Sequence, residues 1–374
     1  MQDQQLKLFT DTDQVSSSSK KQLLSFNSKI RDLRPPRYIS RKQSSHPSHN
    51  SNYVTNNRYV ANNSIHDSTN ANSLNNGTNA DNVNNSTNNS TNTNNSTIGG
   101  ENVPKKIGHA TISYKNISGI LTKTSGFMDS YDYTLNPYSG CAFGCSYCYA
   151  AFFVREEDKI TDWGYWVDVK ANAVAVLRKK RKKPIINKLV YLSSVTDPYQ
   201  PIETRLKLTR ALLEELAAYH QIRLVVQTRS PHVIRDIDLF KKMARVQINM
   251  SITTDNEEVR KAFEPYCPSN QARLKAIETL HSAGLNTCIT LTPLLPIKNP
   301  YEFANQLKKT GIRKFIIDSF MRTKRRFCAG TRPDALTITK KYDWTPNTQQ
   351  KTIDILKKEL PNIGYGKIGF SAPI

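Results

Sequence analysis

Three cysteines crowd into eight positions of the sequence. Cys141, Cys145 and Cys148 are spaced C-x3-C-x2-C within Tyr138-Ser139-Gly140-Cys141-Ala142-Phe143-Gly144-Cys145-Ser146-Tyr147-Cys148-Tyr149-Ala150. Thiols this close can wrap a metal ion or a metal cluster. A structural zinc site takes four ligands, usually as two paired knuckles. No second Cys-x2-Cys pair and no His-x3-His pair follows, and Cys267, Cys288 and Cys328 stand alone. A cube of iron and sulfide suits the trio better. Three cysteines hold three irons and leave the fourth open to a small ligand, which is a defect for electron transfer and an asset for catalysis. A disulfide with a spare thiol is the plain alternative, although six cysteines in 374 residues are too few for a disulfide scaffold.

The trio follows the first of six apolar, β-branched runs of strand length: 132–136, 188–193, 222–228, 246–252, 286–292 and 312–318. Between them lie helical patterns at 169–180, 203–220, 236–243, 271–283 and 301–310. Leu206, Leu213, Leu216 and Ala217 recur at helical spacing, as do Leu274, Ile277 and Leu280. Gly284 and Gly311 stand where helices stop. Alternation of this kind implies an α/β fold with a parallel sheet and helical crossovers. Six strands are too few for a closed eight-fold barrel, so the expectation is a partial, open barrel of (βα)6 type. Its site should lie at the carboxyl ends of the strands, where the trio begins.

The trio, with the aromatic Tyr147 before its last cysteine, resembles the signature of the radical S-adenosylmethionine (radical SAM) superfamily. Further stretches resemble the branch that contains spore photoproduct lyase. They are Ser194-Val195-Thr196-Asp197-Pro198-Tyr199-Gln200-Pro201-Ile202-Glu203, Arg235-Asp236-Ile237-Asp238-Leu239, Ser251-Ile252-Thr253-Thr254, Phe263-Glu264-Pro265 and Ala272-Arg273-Leu274. The similarity runs over about half the chain, from Tyr131 to Ile317. It implies a [4Fe–4S] cluster held by Cys141, Cys145 and Cys148, with S-adenosylmethionine chelated at the open iron. One electron then yields a 5′-deoxyadenosyl radical that abstracts hydrogen from a substrate. It further implies Tyr147 near the adenine, and Ser194, Thr196 and Asp197 at the place of the methionyl ammonium. Arg229 would pair the methionyl carboxylate in a fork, and Ser251 would face the ribose. A polar residue at a strand end also reads as a cap of the next helix.

One departure matters. The lyase that names the branch carries, at the position of Ser194, a cysteine that returns a hydrogen atom to the product. A serine O–H is a far poorer donor of hydrogen atoms. Cys328, after the sixth strand, is a substitute candidate for that catalytic role, against an ordinary buried thiol. Cys267 and Cys288 read as structural. The partners implied are a low-potential electron donor of flavodoxin or ferredoxin type, and a substrate for which nucleic acid is one candidate.

The composition divides the chain. Asn, Ser and Thr fill 27 of the 38 positions from Ala61 to Ile98, so residues 1–100 read as a disordered polar extension with too little to bury. The catalytic domain is expected over 101–374, with a C-terminal extension from about residue 320. Of the net charge of +22, only +4 lies in residues 1–100. The rest includes Arg178-Lys179-Lys180-Arg181-Lys182-Lys183, expected on the face opposite the site, and Arg322, Lys324, Arg325 and Arg326, expected on the site's side. Such runs can neutralise nucleic-acid phosphates or simply solvate a helix end. A non-catalytic basic nucleic-acid-binding protein with a zinc site is therefore the rival reading. No apolar run approaches the ~18 residues of a membrane span, and no secretory pattern opens the chain. The thiols suit a reducing, cytoplasmic compartment.

Overall fold

A computed structural model describes residues 103–323 and 331–371. The expectations for residues 1–100 and for Cys328 lie outside the described residues.

Two sheets organise them. The strands are β1 (Lys106–Ile107), β2 (Ala110–Lys115), β3 (Leu121–Lys123), β4 (Tyr133–Leu135), β5 (Tyr138–Ser139), β6 (Trp166–Lys170), β7 (Ile186–Leu192), β8 (Gln221–Thr228), β9 (Arg245–Ser251), β10 (Asn286–Leu291), β11 (Phe315–Ile317) and β12 (Ile363–Tyr365). The larger sheet runs β12-β11-β10-β9-β8-β7-β4-β3. The six expected strands, β4 and β7 to β11, are parallel throughout, with Leu135 beside Leu192, Leu192 beside Val226 and Thr290 beside Ser251. β12 adds a further parallel strand and β3 an antiparallel one.

Alternation along these strands separates two environments. Val190, Leu192, Leu224, Val226, Ile248 and Met250 share one apolar cluster with Leu212 and Leu216 of the helix Leu208–Tyr219, and with Ile277 and Leu280 of the helix Asn270–Ser282. The intervening residues face inward and are largely polar. Tyr191 donates to Gln227 Oε1 at 3.0 Å, and Gln227 Nε2 donates to Ser251 Oγ at 2.8 Å and Thr290 Oγ1 at 3.0 Å. The two ends of the curled sheet meet through side chains: Phe127 packs edge-on against Phe370, Tyr131 donates to Phe370 O at 2.8 Å, and Lys367 pairs with Asp129 at 2.6 Å. The open-barrel expectation therefore stands, with its seam bridged by side chains.

The smaller sheet, ordered β1-β2-β6-β5, departs from the expected pattern. Residues 169–180 begin as the end of β6, paired in parallel with β2, and the α-helix is confined to Ala173–Arg178, with a 3-10 turn at Lys179–Lys182. Asp168 explains why this strand is fixed. Its buried carboxylate accepts from Ser113 at 2.5 Å and pairs with Lys115 at 2.6 Å and Lys159 at 2.7 Å. The C-terminal part contributes the helices Pro333–Lys341 and Pro346–Glu359, tied down where Trp344 Nε1 donates to Leu294 O at 3.3 Å. Among the described residues no helix is long and apolar enough to cross a membrane.

Candidate functional site

The cysteine loop leaves β5 at the carboxyl ends of the parallel strands. Its course depends on close backbone approach. Gly140 adopts φ +76°, and a Cβ there would lie 2.6 Å from the carbonyl oxygen of Trp166. Gly144 faces Gly164 so closely that a Cβ on Gly164 would sit 2.8 Å from Gly144 Cα. Glycine is thus required for the contact as well as for the turn. Around this contact the loop is braced from several elements. His109 Nε2 lies 3.1 Å from Ala142 O and 3.0 Å from Gly164 O, and its ring stacks on Tyr266 at 3.6 Å. Thr196 Oγ1 donates to Gly140 O at 2.6 Å, and Ala142 N donates to Gln200 Oε1 at 2.9 Å. Ser146 N donates to Phe263 O at 2.8 Å, and Arg332 Nε donates to Ser146 O at 3.2 Å.

Cys141 and Cys145 are buried, Cys148 is half-buried, and none is in a disulfide. Their environments differ. Burial pushes the Cys141 thiol well up, and pushes Cys148 up to about 11. Cys145 is lowered instead. A hydrogen bond from Cys267, whose Sγ is 3.6 Å away, outweighs burial, and Arg229 and Arg273 add to the effect. Cys267, isolated in the sequence and read as structural, is set by the fold against the second cysteine of the trio. Cys288 is fully buried within β10, as expected.

Beside the thiols lies a buried ionic hub that sequence reasoning did not identify as such. Glu264 is fully buried. Its Oε1 accepts from Thr253 at 2.8 Å and from the Tyr147 hydroxyl, and its Oε2 pairs with Arg273, which is itself fully buried. Burial pushes the Glu264 carboxyl up, but Arg273 and Arg229 more than offset this and bring it down to about 2. Arg273 also donates to Ser251 O at 3.1 Å and Pro268 O at 3.0 Å, which joins the end of β9 to the turn after Phe263. Arg229, at the end of β8, donates to the Tyr147 hydroxyl at 3.0 Å. Its Nε is 3.7 Å from Glu264, makes no hydrogen bond, and sits on a side chain one-fifth exposed.

The structure brings Tyr147, Arg229 and the cysteines together. The other expected contacts are differently employed. Asp197 accepts from Tyr199 N at 2.9 Å, Thr228 Oγ1 at 2.8 Å and Arg229 N at 2.8 Å, so its carboxylate binds the end of β7 to the end of β8. Thr196 holds Gly140. Ser193 turns the chain there with φ +85° and donates to Thr196 O at 2.7 Å. Ser194 Oγ accepts from Asn136 at 3.2 Å, and its carbonyl accepts from the Tyr149 hydroxyl. Ser251 faces the barrel interior in contact with Gln227 and Thr290.

The basic runs are partly committed to the fold. Arg322 donates to Trp344 O and to Thr339 Oγ1. Lys324, Arg325 and Arg326 lie outside the described residues. In the other run, Arg178 and Arg181 both pair with Glu215.

This loop at the strand ends defines the class. Residues 135–308 match the family described as the Radical SAM superfamily. Just under half of the chain is thus similar to that superfamily, a class of enzymes. Among curated proteins it is 36% identical over 164 residues to an uncharacterized protein of Methanocaldococcus jannaschii, covering 44% of this chain and 61% of the relative. It is 33% identical over 170 residues to an uncharacterized protein of Mycobacterium tuberculosis, covering 44% of this chain and 50% of the relative. A radical SAM Nα-GlyT isomerase of Pseudomonas phage M6 is 28% identical over 167 residues, which are 43% of this chain and 32% of the isomerase. The chain thus spans from about a third to three-fifths of the length of these relatives. Spore photoproduct lyase complexed with dinucleoside spore photoproduct superposes with TM-score 0.48 at 17% identity, over 72% of this chain and 87% of the lyase. Streptococcus suis SuiB bound to S-adenosylmethionine gives 0.39 at 14% identity, over 62% of this chain and 49% of SuiB. Likenesses this distant do not bear on substrate.

Proposed function

We propose that this chain binds a [4Fe–4S] cluster through Cys141, Cys145 and Cys148 and uses it to cleave S-adenosylmethionine reductively. The observation that carries this reading is the loop itself: three unbridged thiols at the carboxyl ends of parallel strands, beside an arginine with a free donor. The donor set fits the group, because a cube needs cysteines on separate irons. Among the described residues no three His, Cys, Asp or Glu side chains converge on a single-ion position. A cube does not demand such convergence, whereas a zinc ion does. When bound, the cluster supplies one electron to S-adenosylmethionine at its open iron, giving methionine and a 5′-deoxyadenosyl radical for hydrogen abstraction.

The chain's own residues have distinct parts in this. We read Arg229, whose buried Nε makes no hydrogen bond, as the group that would pair the methionyl carboxylate, the role that the resemblance implies. Tyr147 is a buried ring whose hydroxyl is held between Glu264 and Arg229, and we propose it near the adenine, the place that the resemblance implies. Thr196, Asp197 and Ser251 act as braces of the strand ends and the loop, and Ser194 lacks the thiol that a lyase return step would use. We assign the chain, on its motifs, to the branch of spore photoproduct lyase with a substrate of its own. Nucleic acid is the first class to test, in keeping with the basic charge beyond residue 100. The reductant is a low-potential protein donor of flavodoxin or ferredoxin type, which places the activity in a reducing, cytoplasmic compartment.

The test is anaerobic reconstitution with iron and sulfide, then measurement of bound iron and of 5′-deoxyadenosine formed under dithionite. We expect about four irons per chain and cleavage in the wild type, with both lost in Cys145→Ala. Colourless protein holding stoichiometric zinc would overturn the reading in favour of the non-catalytic alternative. Deuterium transfer from labelled nucleic acid into 5′-deoxyadenosine then tests the substrate class.

A further inference from the structure

The cysteine trio has a fourth thiol against it. Cys267 Sγ is 3.6 Å from Cys145 Sγ, inside hydrogen-bond range for sulfur, and both side chains are buried. Its next acceptor, Phe143 O, is at 4.0 Å. The position of Cys267 is fixed by backbone. Its N–H donates to Glu264 O at 3.2 Å, and its carbonyl accepts from Arg260 Nη1 at 2.9 Å. On one side Tyr266 is stacked on His109, and on the other Pro268 O accepts from Arg273. Cys267 is therefore held by its backbone beside the trio. It is also unsuited to be the ligand of the open iron, because a sulfur in contact with one ligand sulfur cannot stand over a different corner of the cube.

We infer that Cys267 is a positioning residue that donates an S–H···S hydrogen bond to the Cys145 thiolate and so raises the reduction potential of the cluster. A donor on a ligand sulfur withdraws electron density and stabilises the reduced state, and such outer partners tune iron–sulfur sites. The inference rests on the cluster reading above and deepens it. Its consequence is a centre that a weaker reductant can load with an electron.

The experiment has two arms. In the first, wild type, Cys267→Ala and Cys267→Ser are reconstituted, their iron is counted, and their midpoint potentials are measured by redox titration followed by EPR. We expect equal iron in all three, a more negative potential for Cys267→Ala, and a return to the wild-type value or above for Cys267→Ser, whose hydroxyl keeps a donor. A Cys267→Ala potential equal to wild type overturns the inference, and so does loss of iron in both variants, which would make Cys267 a ligand. In the second arm the iron-free protein is treated with diamide, which takes two electrons and two protons from a thiol pair. We expect peptide mapping to find Cys145 joined to Cys267 in preference to any bond within the trio. Bonds only within the trio overturn the contact. A wild type that takes up no cluster overturns the functional proposal, whereas the second arm judges the contact by itself.

Discussion

Two buried acid–arginine hubs stabilise this domain, and they differ in what they hold. In the first, Glu203 accepts from Tyr138, from Thr209 N at 2.8 Å and from Arg235 at 2.7 Å, while Asp236 accepts from Tyr199 at 3.0 Å and Arg210 at 2.8 Å. Both carboxylates are fully buried, but their arginines reach solvent, at 18% and 25% side-chain exposure. In the second, Glu264 is paired with Arg273, which is fully buried, and both touch the machinery around the thiols. The first hub joins helices to the start of the cysteine loop from behind. The second sits between Tyr147, Arg229 and the end of β9. Similar chemistry therefore serves packing in one place and the site in the other. Removing one partner of a buried pair leaves an uncompensated charge, which is costly.

The largest expected effect separates the two. Glu264→Gln leaves Arg273 and Arg229 without their carboxylate and should cost about 3–5 kcal/mol. It should also lower 5′-deoxyadenosine formation per iron-loaded molecule, because Tyr147 and Arg229 lose their common partner. Glu203→Gln leaves Arg235 paired with Asp236 at 2.8 Å and should cost less, about 1–3 kcal/mol, with cleavage per iron-loaded molecule unchanged. Denaturant melts together with single-turnover cleavage check both. Equal loss of cleavage in the two variants would erase the distinction between the hubs.

Acid should distinguish them next. The Glu264 carboxyl is held at about 2, below its unfolded value of about 4.3. Its contribution is therefore complete above that unfolded value and is lost as pH falls toward the folded one. Glu203 is opposite in sign. Burial dominates over Tyr138 and Arg235 and raises its carboxyl, so its contribution is full at low pH and declines as pH rises through the folded value. Wild type should lose denaturation midpoint steeply between about pH 4 and pH 2, Glu264→Gln should flatten that limb, and Glu203→Gln should retain it. An unchanged acid limb in Glu264→Gln would show that the ion pair is not its source.

Much of this was legible in the sequence, for a physical reason. The six parallel strands bury their helix-facing side, and Val190, Leu192, Leu224, Val226 and Ile248 announce it. The trio is local, so its spacing can be read without the fold. β6 was not legible, because Val169, Val174 and Leu177 also fit a helical stripe, and the ladders with β2 and β5 that make it a strand are long-range. The helix Glu257–Phe263 was missed for want of length. Glu264 and Arg273 stood in quoted motifs, but their pairing crosses a turn that no periodicity reveals. Cys267 looked solitary because its neighbour is 122 positions away in the chain. Sequence shows which groups are present, and long-range contact decides which of them meet.

The smallest effect is the most discriminating for the residues at the end of β7. Thr196 sits where the resemblance places an ammonium contact, yet its hydroxyl donates to Gly140 O at 2.6 Å and accepts from Gln200 Nε2 at 3.1 Å. Gly140 O keeps a second, longer donor in Gln200 at 3.4 Å, so the loss of the threonine hydroxyl is partly buffered. Thr196→Val should cost about 1 kcal/mol and lower iron retention, while the KM for S-adenosylmethionine stays at the wild-type value. Thr196→Ser should restore stability and iron together, since the hydroxyl survives. A Thr196→Val protein with wild-type stability and a raised KM would move the residue from brace to cofactor contact. That result would also reopen the role of Asp197, because both residues lie on the turn that Ser193 begins and would have to release their protein partners together.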